Sequence, residues 1–527
     1  MSSSPSKSPT PPTPADPALA AARKTRLFLG LVCFFAGAAI MVVEISAFRL
    51  LAPYFGNTIY TSTALIGVIL VAFSVGGYLG GRLADRRPAL DLIGWLLAGA
   101  AVLTLFIPAL HMAFSLSLSA SGVITGPLLI SIVLFALPGV LLGAVSPASV
   151  RFYSLTQKDT HVGQAAGTIS MLGSLGSFVG TFVSGFFLLS TFGVRDIFVG
   201  VGVLLVLLAV ASLTLARSAK KPQIQVLVAG LVAGAVGWSS QSPPLQGVIH
   251  ERESFYHHIS VFEEGEAPHR RRMLALDSTQ EGGMNPDTGE LILAYQQYWK
   301  LALLRDPAEV RSALFIGAGA FGMPENVSRD FPQAAVDVVE IDPQVIEVGR
   351  EFFKLDDHPR VNAHAADARR FLHLAGDRKW DMIFGDAYNG RHAIPSHLAT
   401  REFFQLVSDH LETGGVYIMN IIAAVNGPKS ELASGMIATV RQVFPHVEVF
   451  DVEALARYPR ERARNIILMC SAEPLKPLIV DRYAAAGSWQ ERLIRTHLPA
   501  GTVPRSDIVF TDNHNPVDAI IARGLLE

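Results

Sequence analysis

Between Leu27 and Trp238 the chain strings together apolar runs, most of them about as long as a bilayer's hydrocarbon core is thick. Nothing else restricts the fold as strongly, because runs of that length and number call for helices that satisfy their own backbone in lipid. The first half is therefore read as a multi-pass α-helical membrane domain. Candidate spans are residues 27 to 52, 61 to 83, 91 to 112, 122 to 146, 165 to 190 and 195 to 216. A seventh segment, Ile224 to Trp238, is shorter: it crosses a thin region, lies in the interface, or packs against the soluble half of the chain. Residues 1 to 26 are rich in Ser, Pro and Ala and lack an apolar core with a cleavage site, so a disordered leader is expected there.

Basic residues cluster at Arg23, Lys24 and Arg26, at Arg82, Arg86 and Arg87, at Arg151 and Lys158, and at Arg217, Lys220 and Lys221, whereas the alternate loops hold only Arg195. The positive-inside rule puts the N-terminus and the basic loops in the cytoplasm. If the seventh segment crosses, the rest of the chain lies outside; if it stays in the interface, the rest lies inside. Small residues four apart, such as Gly76/Gly80 and Gly176/Gly180, allow close helix contact in lipid. Glu44, an acid within the first span, calls for a partner or a cavity.

The remainder has the mixture of a soluble domain. Net charge over the 527 residues is −2, which offers no footing for nucleic acid, and two cysteines cannot form a disulfide framework or a zinc cluster, so no metal is implied. Residues 247 to 300 open with alternating runs, VIHERESFYHHISVFEEG and RRMLALDSTQEGG, that predict a small antiparallel β module, followed by a helix-like run over residues 290 to 304. Residues 301 to 527 alternate strand and helix text, which predicts an α/β Rossmann-like domain with a mostly parallel sheet.

In LFIGAGAFGMPENV, Gly317, Gly319 and Gly322 follow a buried strand and precede a helix, so backbone can approach a ligand at the helix N-terminus. Glu340 ends the next strand, where an acid accepts both hydroxyls of a ribose. These features fit a dinucleotide and an S-adenosylmethionine-type sulfonium alike. Asp367 at a third strand end, placed to accept from an adenine amino group, and Asp386 at a fourth favour the sulfonium.

Taken in order, IGAGAFG, VEIDPQVIEVGREFF, AADARRFL, DMIFGDAY, IPSHLATREFFQLVSDHL and GGVYIMN resemble the spermidine synthase family of aminopropyltransferases, and the chain as a whole resembles its membrane-fused bacterial members. The resemblance implies a transferase of the polyamine biosynthesis class with decarboxylated S-adenosylmethionine as donor and no metal. It implies that Gln280 contributes to the nucleoside pocket, Glu340 holds the ribose, Asp367 reads adenine and Asp386 is the catalytic acid of the loop. It also implies a small amine acceptor, a multi-pass place in the inner membrane and pairing through the soluble domains.

The chain departs from the family pattern on the acceptor side. The loop's second acid is Asn389, and the acid-rich upstream motif is replaced by Leu291 to Gln297, which keeps only Tyr295. Tyr295, Tyr388 and Asn389 are then the candidate acceptor-binding residues, in a site expected to have lost negative charge. Asp512 and Asp518, in a late acidic loop, either restore charge or cap a turn. Two other readings stay open: a methyltransferase using intact S-adenosylmethionine, and a transporter or sensor regulated by a nucleoside-binding domain. Because sulfonium donors are made in the cytoplasm, a transferase domain is expected to face it.

Overall fold

The computed structural model describes residues 17–56, 58–122, 124–156, 162–216, 220–240, 247–277, 279–305, 310–388, 394–456, 458–478 and 488–526. Seven of the described helices are long and apolar enough to cross a membrane: α1 (Pro17–Phe55), α2 (Ile59–Arg86), α3 (Leu90–Ser119), α4 (Thr125–Leu155), α5 (Val162–Thr191), α6 (Val194–Leu215) and α7 (Lys220–Ser239). Several boundaries differ from expectation: α3 runs on to Ser119 and α4 to Leu155, past the expected ends at 112 and 146, and the starts of α1 and α7 lie outside the expected spans. Helix α1 begins at Pro17, within the expected leader, because Ala18 to Ala22 are strong helix formers that extend it outward from the span. Helix α7 reaches back to Lys220, which lengthens the short seventh segment to 20 residues. Close packing follows the small residues: a Cβ at Gly76 would stand 2.1 Å from the Val140 carbonyl. Glu44 is half-buried.

The chain divides into two compact units, one holding most of these helices and the other holding everything from Ser242 onward. The second unit opens with an antiparallel sheet of β1 (Val248–Glu253), β2 (His258–Glu264), β3 (Arg271–Leu276) and β4 (Thr279–Met284) in sequential order. Between β3 and β4 the register shifts: Ala275 pairs with Gln280 but Leu274 pairs with Gly282, so Glu281 is the extra residue of a β-bulge. The run at 290 to 304 is not one helix. Leu291 makes a bridge to Met284, Ala294–Trp299 is a 3-10 turn, and only Lys300–Arg305 is α-helical.

An eight-stranded sheet comes next: β5 (Ser312–Ile316), β6 (Ala335–Glu340), β7 (Val361–Ala365), β8 (Trp380–Gly385), β9 (Leu411–Ala423), β10 (His446–Asp451), β11 (Arg464–Ser471) and β12 (His497–Leu498), in spatial order 12-10-11-9-8-5-6-7. Strands β5 to β9 run parallel, and β10, β11 and β12 join antiparallel. Both faces are covered, which is why SALFI and the end of AVDVVE are apolar without alternation. Asp337 is the exception within β6. Only 1% exposed, it takes hydrogen bonds from Trp380 Nε1 (3.0 Å) and Arg378 and pairs with His364 (2.8 Å), so its carboxylate is fully partnered.

Helices α8 (Gly322–Asp330), α9 (Pro343–Phe352), α10 (Ala368–Leu374) and α11 (Arg401–Asp409) come after the parallel strands. Asp342 starts α9 by accepting from the Gln344 N–H at 2.9 Å, with Pro343 at the first helical position. Chain order reverses between β5 and β8: β6 and β7 lie on one side of β5, and β8 returns to the other. Ligands of open α/β sheets bind at the carboxyl ends of the strands at such a switch point.

Candidate active site

Gly317, Gly319, Glu340, Asp367 and Asp386 all come together at that switch point, along one cavity at the carboxyl ends of β5 to β8. Gly317 leaves β5 with φ +92°, and a Cβ there would lie 2.4 Å from the Asp386 carbonyl oxygen, so the glycine lets the two strand ends touch. Gly319, at φ +50°, faces the Glu281 carbonyl in the same way, with 3.0 Å left for a Cβ. Gly322 opens α8.

Glu340 is 8% exposed and bound to the loop it faces: Oε2 accepts from the Ala318 N–H at 3.1 Å and Oε1 from the Asp342 N–H at 3.0 Å. Burial pushes its carboxyl above the usual range, against the pull of those two amides. Asp367 caps α10, its Oδ1 accepting from the Arg370 N–H and its Oδ2 lying 2.8 Å from His397 Nε2, so both of its oxygens have partners already.

Asp386 caps no helix among the described residues. Its Oδ1 accepts from Asn420 Nδ2 at 2.8 Å, and burial pushes its carboxyl up to about 6 while hydrogen bonds from Asn420 and Tyr295 pull it down. Asn420 is held in turn by Asn465 Nδ2 at 3.1 Å. The asparagine pair carries no motif; its one sequence signal is a polar residue inside the apolar run GGVYIMNII of β9.

A second cavity, of about 270 Å³, opens on the other side of Asp386, with Tyr295, Tyr388, Asn420 and Glu453 in its wall. Tyr388 donates its hydroxyl to the Asn420 carbonyl (3.0 Å), and the single hydroxyl hydrogen of Tyr295 has two alternative acceptors, the Glu281 carbonyl at 2.9 Å and Asp386, while both rings stand as walls. Gln280 lines this second cavity and not the first, because the bulge at Glu281 turns the strand between them. Asn389 lies outside the described residues.

Acidic side chains that sequence reading missed stand here. Glu281 and Glu453 both line the second cavity, and no lysine or arginine does among the described residues. Glu453 is pushed up to about 7, first by burial and then by Asp451, and its Oε2 is buried with no hydrogen-bond partner among the described residues. Asp512 adds no charge: it pairs with Arg369 and Thr400, each at 2.8 Å.

A glycine loop and three successive strand-end acids, in a parallel sheet extended by antiparallel strands, define an S-adenosylmethionine-type transferase domain. The family model for the spermine/spermidine synthase domain matches residues 297–464. A polyamine aminopropyltransferase from Vibrio vulnificus is 30% identical over 231 residues, 42% of this chain and 71% of the relative. Another, from Corynebacterium efficiens, is 26% identical over 417 residues, 74% of this chain and 76% of the relative, so that match extends into the helical half. A human eEF1A lysine and N-terminal methyltransferase is 30% identical over 209 residues, 37% of this chain but only 28% of that relative's length. The chain belongs to the spermidine synthase family of polyamine aminopropyltransferases, and it is a transferase.

Proposed function

We propose that the protein is a membrane-anchored aminopropyltransferase that moves an aminopropyl group from decarboxylated S-adenosylmethionine to an amine. The observation that carries this reading is the position of Asp386, which lines both cavities at once. The donor's nucleoside lies against the glycine loop, with Glu340 on the ribose and Asp367, once released from His397, on adenine; the acceptor enters between Tyr295 and Tyr388. Its neutral nitrogen attacks the donor carbon next to sulfur. The new N–C bond forms as the C–S bond breaks, the electron pair stays on sulfur to give neutral methylthioadenosine, and the nitrogen's proton passes to Asp386. With a carboxyl near 6, Asp386 is mostly ionised at neutral pH and able to accept it. The acids around the second cavity suit a cationic polyamine acceptor.

The test is mass spectrometry of detergent-purified protein given decarboxylated or intact S-adenosylmethionine and a mixed panel of amines, with Asp386→Asn as control. A gain of an aminopropyl mass that disappears in the control supports the proposal. The human methyltransferase relative favours a second reading, methyl transfer, which a methyl gain from the intact donor would establish.

Anchoring rests on the seven apolar helices. Donor supply assigns the catalytic domain to the cytoplasmic face of the inner membrane, which requires α7 to lie in the interface. The 20-residue length of α7 favours the opposite face. A reporter fused after Glu527 separates them: an external C-terminus refutes the cytoplasmic assignment. A homodimer through the soluble domain accords with the family and is checked by light scattering.

A further inference from the structure

Three residues line both cavities: Asp386, Tyr388 and Glu281. Asp386 is the proposed base and Tyr388 a wall, whereas nothing in the reaction so far uses Glu281. Its placement is built. It is the extra residue of the β3–β4 bulge, a device that re-aims a side chain without disturbing the pairing on either side. Its backbone is fixed from two directions, by Tyr295 donating to its carbonyl and by Gly319 packing against that same oxygen. At the next residue, Gly282, a Cβ would stand 2.8 Å from the Ala320 nitrogen, so this strand is pressed onto the glycine loop.

The carboxylate itself has no hydrogen bond or ion pair among the described residues. Burial first, and then the acids Asp386, Glu340 and Asp277, push its carboxyl well above the usual carboxylate range, and neither cavity has a lysine or arginine in its described lining. An acid held between other acids, open to a cavity and lacking a cation, lacks a partner that a substrate can supply. The reaction offers that chemistry twice, as the ammonium of the donor's propyl arm and as an ammonium of the acceptor.

We propose that Glu281 binds a substrate alkylammonium group where the two cavities meet, taking the place of the acid that the loop lacks at Asn389. This deepens the aminopropyl-transfer reading and rests on it.

The experiment uses the full-length protein in detergent, as wild type, Glu281→Gln and Glu281→Asp. Calorimetry measures methylthioadenosine, which has no ammonium, then decarboxylated S-adenosylmethionine, then 1,4-diaminobutane in the presence of saturating methylthioadenosine. Methylthioadenosine is expected to bind all three proteins within about threefold. Glu281→Gln should weaken one of the ammonium ligands about 30-fold, about 2 kcal/mol at 1.4 kcal/mol per tenfold, with partial recovery in Glu281→Asp. A loss confined to decarboxylated S-adenosylmethionine assigns Glu281 to the donor arm; a loss confined to the diamine, with the acceptor KM raised more than kcat falls, assigns it to the acceptor. The proposal is overturned if both ammonium ligands bind Glu281→Gln as they bind wild type, if wild type binds neither, or if methylthioadenosine binding is lost with them. Failure of the transfer reading looks different: wild type would prefer intact S-adenosylmethionine and transfer methyl, whatever the Glu281→Gln titrations show.

Discussion

Asp386→Asn separates the chemistry of the site from its architecture. The Asn420 Nδ2 that now donates to Asp386 at 2.8 Å can donate equally to the carboxamide oxygen of the replacement, so the side chain keeps its place. What disappears is the proton acceptor. A positioned base contributes about 10²- to 10⁴-fold, so kcat/KM for aminopropyl transfer should fall by that factor while methylthioadenosine binding stays within about threefold. Stability should move the other way. The carboxyl is raised from 3.8 to about 6 in the folded protein, so the folded state holds its proton more tightly than the unfolded one. This group's favourable contribution is therefore present in acid and is lost as pH rises from about 4 through about 6. By pH 8 the loss amounts to about 3 kcal/mol at 1.36 kcal/mol per tenfold. Asparagine removes that cost, so thermal unfolding of the variant should shift upward at pH 8 and little at pH 4. Wild-type kcat/KM should climb through about pH 6 as the base ionises. Transfer by the variant within tenfold of wild type, or a flat wild-type profile between pH 5 and 7.5, would refute the assignment of Asp386 as base.

Replacing Asn420 with Leu removes the hydrogen bond that favours the ionised form of Asp386, so the acid limb of the pH–rate profile should move above 6. Glu340→Gln keeps an oxygen acceptor for only one of the Ala318 and Asp342 N–H groups and turns an NH2 toward the other; methylthioadenosine affinity by calorimetry should drop about tenfold or more. Asp337→Ala leaves the buried Trp380 N–H without its acceptor and the half-exposed Arg378 without its ion partner, and denaturant unfolding should show a loss of about 1–3 kcal/mol. Tyr388→Phe gives up one hydrogen bond to the Asn420 carbonyl and keeps the ring, costing about 1 kcal/mol of stability with transfer kinetics little changed.

The donor half of the site was legible because its residues end consecutive strands. Gly317, Glu340, Asp367 and Asp386 each close an apolar run that reads as a strand, and a parallel sheet brings such ends together by construction. What each does in the unliganded protein was less legible: Asp367 caps its helix, while Asp386 is tied to Asn420 across the sheet. The acceptor half was misjudged for a physical reason. Counting acids in the loop and in the run at Leu291 to Gln297 found them missing, but charge in a cavity depends on what faces it. Glu281 reaches the cavity through a bulge whose only trace is an acid before two glycines in a strand, and Glu453 comes from a turn after an antiparallel strand about 70 residues beyond the loop. In the helical half, apolar length located all seven helices, and the ends were missed where the helices run on past the apolar stretch, as α3 does to Ser119 and α4 to Leu155.

The contact between Gly317 and Asp386 bears on how firmly the reacting groups are held. Ile316 pairs with Gly385 in the ladder, and the Asp386 N–H donates to the Ile316 carbonyl at 2.8 Å, so the donor loop and the base leave the sheet on neighbouring rungs. Their separation is then set by the spacing of adjacent strands, about 4.8 Å, and not by any flexible connection. Breathing of the sheet, or strain passed into it from elsewhere, shifts donor and base together as a common-mode displacement. On the acceptor side Tyr388 leaves the same strand end as Asp386, whereas Tyr295 belongs to another element. In the proposed reaction, a substitution at Tyr295 can therefore retune what is alkylated while the glycine loop and Asp386 keep their alignment.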